Sequence, residues 1–349
     1  MTRITRMKKL FALLAALFLH GQLLAETEKL NLFIWSEYID PAVVKDFEKA
    51  FKCKVNIDLY EDTDSMLAKL QGGGGALYDV VVPTDHSVPT LIKLGLLAPL
   101  RHENIPNFKN LDTKFTNLSY DPGNKYTVAY QWGTLGVFAR ETKGKPLPES
   151  WAIFFDPKQS PGSFLLIDSM RDMIGVALKY KGHSVNSVDP EELKEARDLI
   201  LEAKRRSLGF DGSVGVKNKV LAKTAKAGIV YNGEGVRGMS DDKNTVYFVP
   251  KEGSIIWVDN LVVLAKAPHR DLAEKFINFV LDPKNGARIS NFIQFSTPNK
   301  AARPLINAED LKDSAIYPAP EVVGRLEFLE DIGAKLRLYD EVWTQVKAK

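Results

Sequence analysis

Aromatic side chains lie beside carboxylates at several places in this chain, and such pairs can hold a positively charged ligand. Tyr231 is followed by Glu234, and Trp257 precedes Asp259 by two residues, which puts ring and carboxylate on one face of an extended strand. Aromatic faces attract cations, and carboxylates pair with ammonium groups. The rings can also line the apolar stem of the same molecule. The pattern therefore predicts a small, linear, positively charged ligand.

The most informative stretch is residues 30–40. Its apolar first half, 30–34, predicts a buried strand, and Asp40 followed by Pro41 is a typical helix start, with Asp as the N-cap and Pro at the first helical position. In open α/β sheets, ligands bind in the crevice beyond the carboxyl ends of the strands. The residues between this strand and this helix are therefore expected to contact a ligand: Trp35, Ser36, Glu37 and Tyr38.

The elements that must position these side chains alternate between strands and helices. The early strands are predicted at 30–34, 55–59 and 80–82, and the early helices at 43–51, 66–70 and 91–97. This βαβαβ order predicts a parallel sheet with right-handed crossovers. Later strands are predicted at 163–167, 227–231 and 246–249, and later helices at 149–156, 170–180 and 190–206, with Asp168 and Ser169 as caps at 170.

Two extended stretches, 126–139 and 255–264, are too long for a strand within one lobe. We interpret them as crossing segments that carry the chain from one lobe to another. Two α/β lobes joined in this way form a hinged clamp that can close on a ligand.

Residues 1–25 have the pattern of a secretory signal peptide. Four basic residues precede an unbroken apolar run at 10–19, and a typical cleavage site follows at 23–25. A membrane anchor is the alternative, but the run is well short of the roughly 20 residues that cross a bilayer. These four are among the 47 lysines and arginines, and the segment holds none of the 44 acidic residues, so the mature chain carries one net negative charge. No nucleic-acid partner is indicated.

Cysteine and histidine give no sign of a metal site. Cys53 is the only cysteine, so no internal disulfide can form, and we expect it to be a small core residue. The histidines are scattered, without the spacing of metal ligands. Neither a metal nor another cofactor is expected.

In several segments the sequence resembles the periplasmic spermidine/putrescine-binding proteins of ABC importers: 33–39, 79–83, 231–233, 250–253, 257–259 and 297–302. The resemblance runs from about residue 30 to the C-terminus. It implies an α/β fold of the type II periplasmic-binding-protein class, in which two lobes joined by crossing strands hold the ligand in the cleft between them. The implied lobes are 26–133 with 257–305, and 134–256 with 306–349.

The same resemblance implies a function and a set of binding residues. It implies a monomeric periplasmic protein, not an enzyme, that captures a polyamine (putrescine and/or spermidine) and delivers it to inner-membrane permease subunits. Carried over position by position, the implied ligand-binding residues are Trp35, Ser36, Glu37, Tyr38, Thr84, His86, Ser169, Asp172, Ser213, Tyr231, Glu234, Trp257, Asp259 and Phe295.

Several of these positions depart from the family pattern. Tyr231 stands where spermidine binders usually have Trp, Phe295 replaces a common Tyr, and Asp172 replaces a Glu. Ser169 stands where the family often has a second carboxylate, whereas Glu234 resembles the acid of putrescine-type members. These departures predict that the pocket takes a diamine and that a preference for spermidine is weakened or lost. His86 stands where spermidine binders carry Tyr, and Leu329 stands where some members have Gln. Ser213 falls at a pocket hydroxyl position, in a loop that matches the family poorly.

The residues leave two alternatives open. A sugar hydrolase also uses aromatic rings and paired carboxylates, but here the carboxylates come from separated segments without an evident acid–nucleophile pair. A binding protein for another solute, such as a basic amino acid, an opine or a metal chelate, would need a cation for an α-carboxylate. No Arg or Lys lies among the implied pocket positions, and Arg171 is expected to face outward. A pure cation is therefore the favoured ligand.

Overall fold

The computed structural model describes residues 28–141 and 146–348, so the predicted signal peptide lies outside the described residues. The strands are β1 Lys29–Trp35, β2 Lys54–Tyr60, β3 Val80–Val81, β4 Thr127–Arg140, β5 Phe164–Ile167, β6 Phe210–Asp211, β7 Ala227–Tyr231, β8 Thr245–Phe248, β9 Ser254–Val263 and β10 Leu326–Phe328.

The α-helices are α1 Pro41–Phe51, α2 Thr63–Gln71, α3 Val88–Lys93, α4 Ala152–Phe155, α5 Met170–Tyr180, α6 Pro190–Arg206, α7 Ser213–Leu221, α8 Asn232–Asp241, α9 Arg270–Val280, α10 Pro283–Ile293, α11 Ala308–Lys312, α12 Pro320–Val323 and α13 Leu336–Ala348. Short 3₁₀ helices lie at Gly74–Ala76, Asp85–Ser87, His102–Asn104, Pro106–Asn110, Thr113–Phe115, Pro157–Gln159, Arg303–Leu305 and Gly333–Lys335.

Two predicted helices have different bounds in the structure. The helix predicted at 91–97 begins earlier and ends at Lys93, because Gly95 has a φ of 66° and turns the chain out of the helix. The segment 149–156 contains only the short helix α4, since the chain takes an extended conformation at Asp156 and Pro157 opens a separate 3₁₀ turn.

The first lobe contains the predicted parallel βαβαβ unit. β1 pairs in parallel with β2 on one side and with β3 on the other, which confirms the predicted sheet. α1 begins as predicted, with the Asp40 carboxylate accepting a hydrogen bond of 2.7 Å from the Ala42 N–H and Pro41 at the first helical position. This start directs Val43 and Phe47 into the core of the lobe.

The two long strands β4 and β9 run antiparallel and join the two halves of the molecule. Their pairing extends from Thr127↔Val262 to Thr134↔Ile256, with a register shift between Ala129 and Gln131. Beyond this central segment, β9 pairs with β3 of the first lobe, whereas β4 pairs with β7 and β8 of the second. The two stretches interpreted as crossing segments therefore do connect two α/β lobes.

The second lobe is built around β7, which lies between β4 and β5, with β6 at the edge. Ser169 occupies the N-cap position of α5, but its hydroxyl donates to the Asp172 carboxylate instead of accepting a backbone N–H, and Asp168 pairs with Lys347. Ser169 is therefore the N-cap residue as predicted, but neither Asp168 nor Ser169 caps this helix through its side chain. The C-terminal helix α13 packs against α5 and α6.

Each lobe has its own apolar core. In the first lobe the largest cluster contains Leu32, Phe47 and Phe276, and in the second the largest contains Trp151 and Tyr339. The single thiol, Cys53, is buried in the first of these cores as predicted. Within the described ranges, no helix has the length and apolarity needed to span a bilayer, and no group of side chains has the composition of a metal site.

Candidate functional site

A cavity of about 80 Å³ lies between the two lobes, which is room for roughly five to eight water-sized groups. All the predicted site residues except Glu37 line it: Trp35, Ser36, Tyr38, Thr84, His86, Ser169, Asp172, Ser213, Tyr231, Glu234, Trp257, Asp259 and Phe295. The fold therefore brings together predicted residues that are far apart in the chain. A cavity of this size suits a small solute.

The carboxyl ends of the parallel strands place most of these side chains. Trp35 is the last residue of β1, and Tyr231 is the last residue of β7. Thr84 follows β3, Asp172 follows β5, and Ser213 follows β6. β9 contributes Trp257 and Asp259 from one face, since both line the cavity. Both lobes thus supply side chains to the same crevice, as open α/β sheets do.

Four aromatic rings form a continuous row along the cavity. Tyr231 and Trp257 meet edge to face at 5.8 Å between ring centroids, Trp257 and Phe295 at 5.2 Å, and Phe295 and Tyr38 at 5.3 Å. Edge-to-face packing fixes the orientation of each ring. Gly233 lets α8 approach the row, because a Cβ there would lie 2.5 Å from the Phe295 ring. The row offers apolar surface and π faces to a ligand with a hydrocarbon stem.

Asp259 is a buried carboxylate without a cationic partner among the described residues. Burial raises its pKa well above the usual range, the neighbouring Asp85 and Asp172 charges add to the rise, and the Tyr38 and Thr84 hydroxyls oppose it. The backbone amides near the crossing are instead bound by Asp85, which accepts the N–H of Val258 at 3.2 Å. Asp259 is therefore a buried acid whose negative charge would be stabilised by a cation.

Asp172 belongs to the second lobe, and its carboxylate accepts hydrogen bonds from two uncharged hydroxyl groups. The Tyr231 hydroxyl donates to its Oδ2 at 2.7 Å, and the Ser169 hydroxyl donates to the same oxygen at 2.6 Å. Burial raises the pKa of Tyr231 well above its usual value, so this hydroxyl keeps its proton and acts as a donor. Both bonds end on one oxygen and neither brings a positive charge, so Asp172 also presents an uncompensated carboxylate to the cavity.

Glu234 differs from the other two buried acids. Its Oε2 accepts a hydrogen bond of 3.1 Å from Ser213, whose hydroxyl in turn accepts the Tyr231 backbone N–H at 3.0 Å. Its Oε1 forms an ion pair of 2.6 Å with Arg237, three residues further along α8. The negative charge of Glu234 is therefore already paired.

Glu37 does not line the cavity, in contrast to the expectation. Its φ of 52° lies in the left-handed region, and its carboxylate contacts two cations of the opposite lobe, Lys217 at 2.9 Å and Arg237 at 3.2 Å. Burial opposes ionisation here, but the Lys217 hydrogen bond and the two positive charges hold the pKa of Glu37 below its usual value. Glu37 thus connects the two lobes at the rim of the cavity.

The remaining predicted residues surround the row of rings. Trp35 donates its indole N–H to the Val82 carbonyl at 2.9 Å and packs on Tyr60, with 4.3 Å between ring centroids. Ser36 hydrogen-bonds to Glu61. His86 lies 3.6 Å from the Asp85 carboxylate. These contacts fix the wall that the first lobe contributes.

Arg171 is buried and not outward-facing. Its guanidinium lies 4.8 Å above the Tyr339 ring and donates to the Glu330 carbonyl at 3.1 Å and the Asn186 amide oxygen at 2.9 Å. It does not line this cavity, but it lines an adjoining one that shares Ser169 and His86 with it.

Sequence reasoning missed part of the lining. Glu61, Asp62 and Thr63 follow the carboxyl end of β2, so the strand-end rule that identified Trp35 could have identified them. Val214 and Leu329 complete the wall. Leu329 had been noted only as a departure from the family pattern, and the apolar side chain of Val214 carried no chemical signal. Lys217 and Arg237 were missed because their role depends on the meeting of the two lobes.

Three comparisons with known proteins identify the family of this chain. Residues 42–319 match the family described as bacterial extracellular solute-binding protein. A putrescine/cadaverine-binding protein of Pseudomonas aeruginosa is 33% identical over 98% of this chain and 100% of its own length. A spermidine/putrescine-binding periplasmic protein of Escherichia coli is 31% identical, over 93% of this chain and 92% of its own.

A solved structure resembles the whole described fold. The spermidine/putrescine ABC transporter substrate-binding protein of Streptococcus pneumoniae superposes with a TM-score of 0.78 at 30% identity, covering 92% of this chain and 99% of that one. The two-lobe architecture implied by the sequence is therefore the architecture of a solved relative.

Proposed function

Because this chain belongs to the bacterial extracellular solute-binding proteins, we propose that it captures a polyamine, putrescine and/or spermidine, and delivers it to an ABC-type membrane permease. Proteins of this family bind solutes, so the cavity serves recognition and not turnover. The resemblance to named polyamine binders over nearly the whole chain supports the choice of solute.

The observation that carries this proposal is the pairing of a row of aromatic rings with two uncompensated, buried carboxylates. Asp172 and Asp259 are each only 6% exposed, and neither has a lysine or arginine within ion-pair distance in the described part of the chain. A buried negative charge is costly unless a cation pairs with it. A ligand with an ammonium group at each end and a methylene stem between them would supply both charges and pack on the rings.

We propose that the ligand is enclosed by rotation of the lobes about β4 and β9. The lobes are divided as the resemblance implies, at residues 133/134, 256/257 and 305/306. Side chains from both lobes line the cavity, so a ligand makes its full set of contacts only when the cleft is closed. The closed form then presents a surface made from both lobes to the permease.

The proposed site of action is the periplasm, reached through the cleaved signal peptide at residues 1–25, and the proposed form is a monomer. This localisation agrees with the periplasmic relative from Escherichia coli.

Another cationic solute is the second candidate. A basic amino acid or an opine carries an α-carboxylate that needs a cation in the pocket. Two cations at the rim, Lys217 and Arg237, are already paired with Glu37, and Arg237 is also paired with Glu234. An incoming carboxylate would have to break these ion pairs, which favours the polyamine.

Calorimetric titration of the mature protein with putrescine, cadaverine and spermidine tests the proposal. We expect saturable binding with one ligand per chain, and mass spectrometry should recover the ligand unchanged. Absence of binding to every amine tested would overturn the proposed function, and chemical conversion of the ligand would favour an enzyme instead.

A further inference from the structure

The three carboxylates that line the cavity from within are not equivalent. Asp172 accepts hydrogen bonds only from the hydroxyls of Ser169 and Tyr231. Glu234 is as buried as the others, at 4% exposure, yet Arg237 lies 2.6 Å from its Oε1. Glu61 and Asp62 also reach the cavity, but they lie towards its solvent-exposed side, where Glu61 bonds Ser36. The interior therefore presents two carboxylates that no lysine or arginine of the described residues pairs with, Asp172 and Asp259.

Arg237 is fixed in place from both sides of the cleft. It belongs to α8 of the second lobe and pairs there with Glu234, one helical turn away. The nitrogen that bonds Glu234, Nη2, also lies 3.2 Å from Glu37, and Nη1 donates to the Ile293 carbonyl of the first lobe. The guanidinium lies 5.9 Å from the centroid of the Phe295 ring. These contacts leave the arginine little freedom to turn away from Glu234.

The charges in this network cancel. Glu37 pairs with both Lys217 and Arg237, and Arg237 pairs with both Glu37 and Glu234. Two acids and two bases thus form one chain of ion pairs across the rim. Nothing in this chain of pairs requires a charge from a ligand, whereas Asp172 and Asp259 each do.

From this arrangement we propose that Arg237 is a specificity-determining residue that neutralises Glu234 and so limits the ligand to a diamine. The inference rests on the proposed function and deepens it. A diamine matches the two open carboxylates. A triamine would bring a further ammonium group into a buried site whose remaining carboxylate is already occupied, and a buried charge without a partner is strongly disfavoured.

Removal of the arginine charge should release Glu234 for a third ammonium group. In Arg237→Met, which keeps the length and apolar stem of the side chain, spermidine affinity should rise relative to putrescine affinity by roughly tenfold or more. Arg237→Gln removes the same charge while keeping a hydrogen-bond donor. It should shift the ratio of affinities in the same direction, and it replaces the methionine variant in the test if that variant does not fold. The conservative variant Arg237→Lys keeps the charge and should keep the wild-type ratio.

Two further variants separate this role from simple closure of the cleft. Glu37→Gln breaks the two ion pairs that Glu37 forms across the cleft but leaves Arg237 on Glu234, so it should weaken both amines alike. The double variant Arg237→Met/Glu234→Gln should lose the gain for spermidine, because the released carboxylate is gone.

Calorimetric titration of each variant with putrescine and with spermidine gives the ratio of the two dissociation constants. A shift towards spermidine in Arg237→Met that is absent in the double variant supports the proposal. An unchanged ratio in Arg237→Met, or a shift that persists in the double variant, overturns it. A wild-type protein that binds neither amine overturns the proposed function and this inference with it, whereas binding with an unchanged ratio overturns this inference alone.

Discussion

Asp259→Asn should separate ligand binding from folding stability. The substitution keeps the shape of the side chain and one oxygen that can accept a hydrogen bond, beside the Tyr38 hydroxyl. It deletes only the charge. Loss of one partner from a buried ion pair costs about 3–5 kcal/mol, which is roughly 10² to 10⁴-fold in Kd. Asp172 still attracts the cation, so we expect the lower part of this range.

The same change should not destabilise the protein without ligand. Burial raises the pKa of Asp259 above its value in an unfolded chain, so the ionised carboxylate lowers the free energy of unfolding. This cost is fully present above the raised pKa and disappears as the pH falls below the unfolded value. At neutral pH, Asn removes the cost, so the Tm of the free protein should stay equal or rise.

Asp79→Asn is a matched control. Asp79 is also fully buried, but it accepts the Asn31 N–H at 2.8 Å and the His269 N–H at 2.5 Å, and it does not line the cavity. It should lower the Tm and leave polyamine affinity unchanged. Titration and thermal unfolding of both variants check the reasoning. A folded Asp259→Asn protein with wild-type polyamine affinity would falsify the role given to this carboxylate.

Three further outcomes are expected. Binding of a cation needs the ionised form of Asp259, whose pKa is raised by burial, so acidification should begin to weaken putrescine binding at a pH above the ordinary Asp pKa of about 3.9. Binding should also release a proton from Asp259, which calorimetry in buffers of different ionisation enthalpy detects. Gly233→Ala places a Cβ 2.5 Å from the Phe295 ring, so it should cost about 1–3 kcal/mol in urea unfolding and weaken binding. Gly75→Ala, whose Cβ would meet its nearest atoms at 3.6 Å and which lies outside the cavity lining, should leave stability and binding close to wild type. Small-angle X-ray scattering should show a smaller radius of gyration when putrescine is added, and an unchanged profile at saturation would contradict closure by lobe rotation.

Most of the architecture could be predicted because local patterns encode it. The alternation of apolar runs and capped helices gave the parallel unit of the first lobe, and the two long extended stretches are the crossing strands β4 and β9. The strand-end rule identified Trp35 and Tyr231, and the two-residue spacing from Trp257 identified Asp259; all of them line one cavity. These features depend on periodicity and chain order, which a single sequence contains.

What escaped prediction depends on contacts between distant segments. Glu37 follows a strand end like its neighbours, but its backbone is left-handed and its carboxylate pairs with two cations of the other lobe. Its side chain therefore lies at the rim and not in the cavity. Its partners Lys217 and Arg237 are 180 and 200 residues away in the chain. The Glu234–Arg237 spacing fits an ion pair on a helix, but only the cavity reveals that this pair removes a charge from the site.

The most direct test of the central claim is calorimetric titration of the mature protein with putrescine and with ornithine. The two molecules share the diamine stem, and ornithine differs only by an added α-carboxylate. The cavity offers two uncompensated carboxylates and no unpaired lysine or arginine among its described lining residues, so putrescine should bind and ornithine should bind at least a hundredfold more weakly, on the order of 3 kcal/mol. Equal affinity for the two, or a preference for ornithine, would contradict the claim that this is a site for a pure cation.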